Sequence, residues 1–265
     1  AIALAIGTPA FILFGWLSDK VGRKPIILTG CALAALTYFP LFHALADAAN
    51  PALTAAQARA PAAVVADPAD CSVQFDPIGR NRYDRQSCDI VKSWLARSAV
   101  PYETIPAPAG TIARLRIGGA EIAAPDPAGM APEERAAAIA AFQAAGQAEL
   151  GAAGYPGEAD PAAIEKPKVV FILTILVLYV TMVYGPIAAL LVELFPARIR
   201  YTSMSLPYHI GNGWFGGFLP TFAFAMVAAT GDIYYGLWYP VATAAATVLI
   251  GALFLPETRK RDIDA

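Results

Sequence analysis

The chain has 265 residues, 57% of them hydrophobic and 15% charged, with a formal net charge of -2 and a mean hydropathy of +0.51. That apolar excess lies outside the usual range of a soluble domain, and so small a net charge favours neither nucleic acid nor anionic lipid as a partner. Charge is placed unevenly: 15 of 21 acids and nine of 19 bases fall between residues 46 and 165, leaving apolar runs punctuated by basic clusters elsewhere.

Five such runs, at about 1–18, 25–46, 168–194, 203–229 and 236–256, have close to the roughly 20 residues that crossing a bilayer requires. Five of them leave almost no polar face for water, so they are not core helices of a soluble protein. Backbone facing lipid must satisfy its own hydrogen bonds, which predicts helices rather than strands. Ala1 already lies inside an apolar run without a basic leader, so a signal peptide is not expected.

The first connection, "GWLSDKVGRKP" (15–25), holds Gly15, Asp19, Lys20, Gly22, Arg23 and Lys24 between two nearly charge-free runs. Its glycines allow a tight turn and close helix approach, Asp19 can cap or face a helix end, and Arg23 offers a planar fork to a carboxylate. Lys20, Arg23, Lys24, Arg198, Arg200, Arg259, Lys260 and Arg261 all fall on one side of the predicted bilayer, against Lys166 and Lys168 on the other. Eight against two places the loop in the cytoplasm. Counting helices then puts residues 47–166 on the opposite, extracytoplasmic side.

That insert has Ala- and Pro-rich ends that read as flexible linkers, with one helix expected near 131–150. Between them, residues 71–123 show strand-like pieces such as "TIARLRIGGAEI" and a short helix near 87–98. Cys71 and Cys88 lie in this part, on the oxidising face, and are expected to form a disulfide worth ~3 kcal/mol. Cys31 lies within a span and is expected to pack as a small apolar residue. No metal site is expected, since two cysteines without clustered histidines do not make one. The insert also has no histidine, no G-x-S-x-G and no phosphate loop, which argues against an enzyme and a catalytic residue set.

In the third run, Tyr184, Gly185 and Pro186 predict a kink, with Thr181 one turn earlier. The fourth, "SMSLPYHIGNGWFGGFLP" (203–220), is rich in Gly and Pro and carries Tyr208, His209, Asn212 and Trp214. Polar groups at membrane depth mark a substrate pathway by default, while helix packing or an interfacial position suits Tyr and Trp equally well. No Asp or Glu lies in the middle of any span, so a protonatable group at membrane depth is either His209 or lies in an absent half of the molecule.

The loop spacing G-x-L-S-D-x-x-G-R-K resembles the signature loop of major facilitator superfamily transporters. Two further stretches resemble the same family: "ELFPARIRY" (193–201), similar to the end of helix 10 in sugar porters and metabolite:proton symporters, and "LPETRKR" (255–261), similar to the ending of helix 12. Four runs follow the loop, so the resemblance implies that the five runs are helices 8 to 12. The implied fold is an all-α membrane protein: a partial C-terminal six-helix bundle of five transmembrane helices (1–46 and 167–256), an α+β external insert (47–166) and a cytoplasmic tail (257–265).

The resemblance further implies alternating access between two six-helix halves, with the N-terminal bundle as the missing partner. It implies a cytoplasmic charge network of Gly15, Asp19, Gly22, Arg23, Glu193 and Arg200 that latches one state of the carrier. A loop that serves only to set topology is the plainer alternative. The implied function is a proton-coupled symporter of an organic acid or zwitterion, without a cofactor, in a bacterial inner membrane. A sugar porter, or an extracytoplasmic binding module anchored by the helices, are the alternatives.

Overall fold

In the computed structural model, which describes residues 1–78 and 80–261, all five apolar runs are helical. Each makes a helix long and apolar enough to cross a membrane. The first span consists of α1 (Ile2–Gly7) and α2 (Pro9–Val21), where Pro9 takes a first-turn position that needs no N–H donor. The second is α3 (Arg23–Ala49), an uninterrupted 27-residue helix. Residues 49–164 intervene before the third, α7 (Lys166–Leu194), which runs as one helix through Pro186. The fourth joins α8 (Arg200–His209), a π-helical stretch Ile210–Gly216 and α9 (Leu219–Thr230). The fifth is α10 (Trp238–Phe254) after a short 3-10 turn. The chain is a mostly helical membrane protein with one small sheet.

It divides into two compact units. One contains Ala1–Ala48, Glu165–Leu219 and the chain from Leu237 on; the other contains Ala49–Ile164 and Pro220–Gly236. In the membrane unit, α7 packs against α1 and α2. Close approach there depends on small residues. A Cβ on Gly30 of α3 would sit 2.9 Å from the Met182 Cβ of α7, and one on Gly185 would sit 3.2 Å from the Phe11 carbonyl oxygen. On α10, a Cβ at Gly251 would lie 2.7 Å from Leu28 Cδ2. The residues turned inward are mostly small, including Ala3, Gly7, Ala10, Ser18, Gly30, Ala34 and Thr181. Large side chains such as Ile12, Leu36, Phe171 and Leu249 stand exposed, as helices meeting lipid require.

The second unit is built the opposite way. Its four-stranded sheet has the order β2 (Tyr102–Pro106), β1 (Ala62–Ala66), β3 (Arg114–Ile117), β4 (Ala120–Ala123). β1 pairs with β2 in parallel and with β3 antiparallel, and β3 pairs antiparallel with β4. Parallel neighbours need a crossover, which α5 (Ser87–Arg97) supplies. α6 (Pro132–Ala152) completes the core, where Val64, Val91, Leu95, Leu115, Phe142, Leu150 and Tyr155 are buried together. Gly146 of α6 leaves room for the Trp94 ring, whose Cη2 would be 2.5 Å from a Cβ there.

Helices near 87–98 and 131–150 and strands within 111–122 were expected, and α5, α6, β3 and β4 occupy those stretches. The N-terminal flank differs from the expected flexible linker. Asn50 accepts a hydrogen bond from Leu53 N at 3.2 Å and starts α4 (Pro51–Arg59), and "AAVVA" then becomes β1, an inner strand of the sheet. Low sequence complexity hid both, because alanine is the best helix former and is also small enough for a buried strand. The C-terminal flank supplies α6, whose Phe142, Gly146 and Leu150 are buried.

The Cys71–Cys88 disulfide, with Cα atoms 5.1 Å apart, ties the segment after β1 to the first turn of α5. Acids reinforce that junction. Asp70 accepts from Ser87 Oγ at 2.6 Å and from Cys88 N at 3.2 Å; Asp89 accepts from Ser72 N at 2.8 Å and Ser72 Oγ at 2.5 Å. This unit also holds the far end of the fourth span. Tyr102 donates its backbone N–H to Gly231 O at 3.0 Å and its hydroxyl to Ala228 O at 2.5 Å, while the rings of Phe75 and Phe222 meet tilted, with centroids 4.8 Å apart.

Candidate functional site: a charge cluster at the basic helix ends

Arg23 opens α3 and is the hub of the site. Its guanidinium Nη2 donates to Glu193 Oε1 at 3.0 Å, and its Nε reaches Glu193 Oε1 at 3.3 Å. Nη1 donates to Ser18 Oγ at 2.7 Å and pairs with Asp19. The side chains of Arg23 and Glu193 are only 10% and 11% exposed, whereas Asp19 is 59% exposed. The fork of the guanidinium therefore joins the end of α2, the start of α3 and the end of α7, a geometry that a lysine ammonium would not match. Ser18 is fully buried and donates its own hydroxyl to Gly15 O at 2.7 Å, so it accepts from Arg23 without leaving a polar atom unpaired.

Residues after α10 close the cluster from the other side. Glu257 accepts from Arg23 N at 3.0 Å and from Lys24 N at 3.1 Å, which satisfies two first-turn donors of α3 with a remote carboxylate. Thr258 donates its hydroxyl to Glu193 Oε2 at 2.5 Å and is itself buried. Burial pushes the Glu257 carboxyl up, but backbone N–H groups of Arg259, Arg23, Lys24 and Thr258 outweigh that and hold it below the usual range. The sign follows: a carboxyl lowered in the folded state contributes stability above its ordinary pKa, lost as the pH falls through the lowered value.

Gly22 makes this arrangement possible. Its φ of 118° lies in the region that side chains avoid, and a Cβ there would be 2.7 Å from the Glu257 carboxyl carbon. Gly15 lies against Gly185 of α7, 4.0 Å from its carbonyl oxygen to where a Cβ would be. Arg200, expected near Glu193 or Asp19, donates its Nε to Phe195 O at 3.1 Å, just past the end of α7. Arg261 Nη1 likewise donates to Leu194 O at 3.2 Å, so two arginines serve the carbonyl end of that helix.

Sequence reasoning assigned no role to Ser18, Glu257 or Thr258. The signal for the last two was the "PET" that ends the fifth run, whose acid and hydroxyl reach the loop only once α10 and α3 pack together. Lys20, in the last turn of α2, is exposed, with Nζ 5.9 Å from the Trp16 ring centroid.

The intramembrane polar residues are held apart from this cluster. Thr181 is buried and donates to Leu178 O at 2.8 Å within its own helix. Tyr184 donates to Asn212 Oδ1 at 3.4 Å, linking α7 to the π-helical stretch, and Asn212 Nδ2 donates to Tyr208 O at 3.0 Å. His209 Nδ1 faces Ser205 O at 2.8 Å. Tyr208, His209, Asn212 and Trp214 are all exposed in this chain, with the Trp214 ring 6.3 Å from Phe218. The π-helix begins right after His209 and carries Asn212 and Trp214, and stretches of this kind are frequent at functional sites.

Residues 136–265 match the family model for sugar (and other) transporters. The match starts inside α6 and takes in α7 to α10, including Glu193, Arg200, Glu257 and Thr258; the loop of Arg23 lies outside it. No curated protein and no solved structure matches the chain significantly. The match covers just under half of the chain and makes its C-terminal part similar to transporters, while the five membrane-length helices suit a multi-pass membrane protein.

Proposed function

We propose that this chain is the C-terminal part of a secondary active transporter, a proton-coupled symporter that moves a small organic acid or zwitterion by alternating access. The observation that carries this reading is the cluster around Arg23. One nearly buried guanidinium links α2, α3 and α7, and the segment after α10 closes over it through Glu257 and Thr258. A helical anchor needs no such device, because buried ion pairs contribute little net stability compared with apolar packing. A carrier that rocks between two states does need contacts that form in one state and break in the other.

The exposed polar stretch Tyr208–Trp214 supports the same reading. Left against lipid, His209 and Asn212 would be unfavourable, so they require a polar pathway or a partner bundle on that side. In this reading the partner is an N-terminal six-helix half, the insert lies outside a bacterial inner membrane, and the chain works without a cofactor or a catalytic residue. The eight-to-two distribution of bases supports the orientation. Because the matched model is described as one of sugar (and other) transporters, a sugar cargo is the second reading.

Uptake assays test both. With a complete N-terminal half, reconstituted protein should accumulate labelled organic acids or zwitterions under an inward proton gradient, and a protonophore should abolish the accumulation. Gradient-independent uptake would remove symport; accumulation of hexoses alone would select the sugar reading. Residues 1–265 by themselves should transport nothing, and transport by them would overturn the assignment as a part.

A further inference from the structure

The insert meets α9 at two levels. Tyr102, which starts β2, is bonded to Ala228 and Gly231 at the end of that helix. Phe75, in the loop that the Cys71–Cys88 disulfide closes, meets Phe222. Phe222 precedes Ala228 by six residues, so the loop touches the fourth span ~9 Å further along than β2 does. It also precedes the end of the span at Thr230 by eight residues, which is ~12 Å of helix. The span has 31 residues, ~46 Å against a hydrocarbon core of ~30 Å, which leaves ~16 Å outside the core. Even with all of that excess at the α9 end, Phe222 lies within ~4 Å of the core, inside the headgroup layer. Tilt, or a share of the excess at the other end, takes it deeper.

At that level the loop presents apolar side chains. Val73 and Ile78 are 76% and 73% exposed, and Phe75 is 39% exposed. Three large apolar groups between Val73 and Ile78 are not the scattered exposure of an ordinary surface. Arg80, Arg82 and Arg85 follow them, all exposed. The nearby acids are engaged elsewhere. Both carboxylate oxygens of Asp76 accept from the loop backbone, from Ile78 N at 3.2 Å and Asn81 N at 2.6 Å, and Asp84 pairs with Arg135 at 3.2 Å. The net charge of -2 for the whole chain hides this local basic run. Apolar side chains bordered by arginines suit a segment lying between acyl chains and headgroup phosphates.

We infer that this loop is a membrane anchor of the insert. Val73, Phe75 and Ile78 enter the bilayer interface beside α9, and Arg80, Arg82 and Arg85 meet the phosphates of anionic headgroups. The apolar surface of the loop continues that of Phe222, a residue of a span that lipid surrounds, and this continuity selects lipid as the occupant. The disulfide holds both ends of the loop, so placing it in the interface orders little further chain. The inference requires that the fourth span crosses a bilayer; it does not rest on the transport reading.

Spin labelling of the full chain in lipid nanodiscs tests it. A nitroxide is attached at Ile78→Cys, in a Cys31→Ser background that keeps the disulfide. The comparison position is Glu121→Cys, exposed on β4, the sheet edge opposite the strand that touches α9. In equal parts phosphatidylcholine and phosphatidylglycerol, the label at 78 should favour oxygen over a water-soluble nickel chelate at least ~3-fold more than the label at 121. Equal preference at the two positions overturns the inference. So does loss of access to both probes at 78, the mark of a protein partner covering the loop. Arg80→Gln, Arg82→Gln and Arg85→Gln together should lower the preference at 78 by ~2-fold or more in that mixture, and leave it unchanged in phosphatidylcholine alone. The same response in both lipids, whether a fall or none, overturns the headgroup contact.

Discussion

The membrane unit and the insert unit solve packing with opposite residues. In the insert, the large apolar side chains Leu95, Leu115, Val64 and Phe142 are buried, with Asp89 and Lys92 of α5 buried beside them. In the membrane unit, Gly30, Ala34, Ser18 and Thr181 are inside, while Leu249, Ile250, Leu253 and Phe254 are exposed. Water drives large apolar side chains together, but lipid tails are as apolar as leucine and give them no reason to leave. Helices in lipid therefore associate through backbone proximity and polar contacts, and the contacts that can be broken and remade are polar. The inside of each unit reports its solvent.

The largest effect expected from this contrast is at Arg23. Replacing it with Ala removes the partner of a nearly buried carboxylate and should cost ~3–5 kcal/mol of membrane-unit stability, measured by reversible unfolding in mixed micelles. In a complete carrier the same change should slow transport and shift the balance of outward- and inward-open states while insertion persists. A loss under ~1 kcal/mol would mean that Glu193 is solvated after all, and the polar centre of this unit would have no energetic weight.

Next comes the disulfide. Replacing Cys71 and Cys88 with Ser should destabilise the insert by ~3 kcal/mol, seen as earlier hydrogen exchange across β1 to β3. Exchange in α7 and α10 should not change, and a common loss in both units would show that they unfold together. In the membrane unit, Gly30→Leu should cost ~1–3 kcal/mol by forcing α3 and α7 apart, a penalty from adding apolar volume. Stabilisation instead would mean that bulk, not close approach, holds these helices.

The smallest effect belongs to Lys20→Ala. An exposed lysine in the last turn of α2 with an aromatic neighbour is worth ~0–1 kcal/mol, so stability and transport should barely move. If Lys20→Ala matched Arg23→Ala in a transport assay, the loop would act through net charge alone and the geometry of the Arg23 fork would be irrelevant.

Much of this was legible from residue order, and the reasons differ by region. Runs of some 20 apolar residues can only be helices in a bilayer, so the five spans could be read with no knowledge of their neighbours. The helix near 87–98 was visible as a polar–apolar period of the α type, and "RLRI" alternates as a half-buried strand does. The flank 46–66 was not legible: "AAVVA" carries no alternation, and a strand buried on both faces shows none. For the charge cluster, the loop's acid, glycines and arginine could be singled out locally. That Glu257 reaches two backbone donors of α3 depends on residues more than 200 positions away.

What the amino-acid order determined alone is everything set by local chemistry and solvent: helical spans, their basic ends, the glycine at a turn of positive φ, and two cysteines 17 residues apart. Tertiary structure decided which charges meet. Arg200 donates to the end of its neighbouring helix while Glu257 and Thr258 close over Arg23 and Glu193, because the ends of α2, α3, α7 and α10 come together. A charge's partner is a matter of a few ångströms in space, and sequence distance carries no information at that scale.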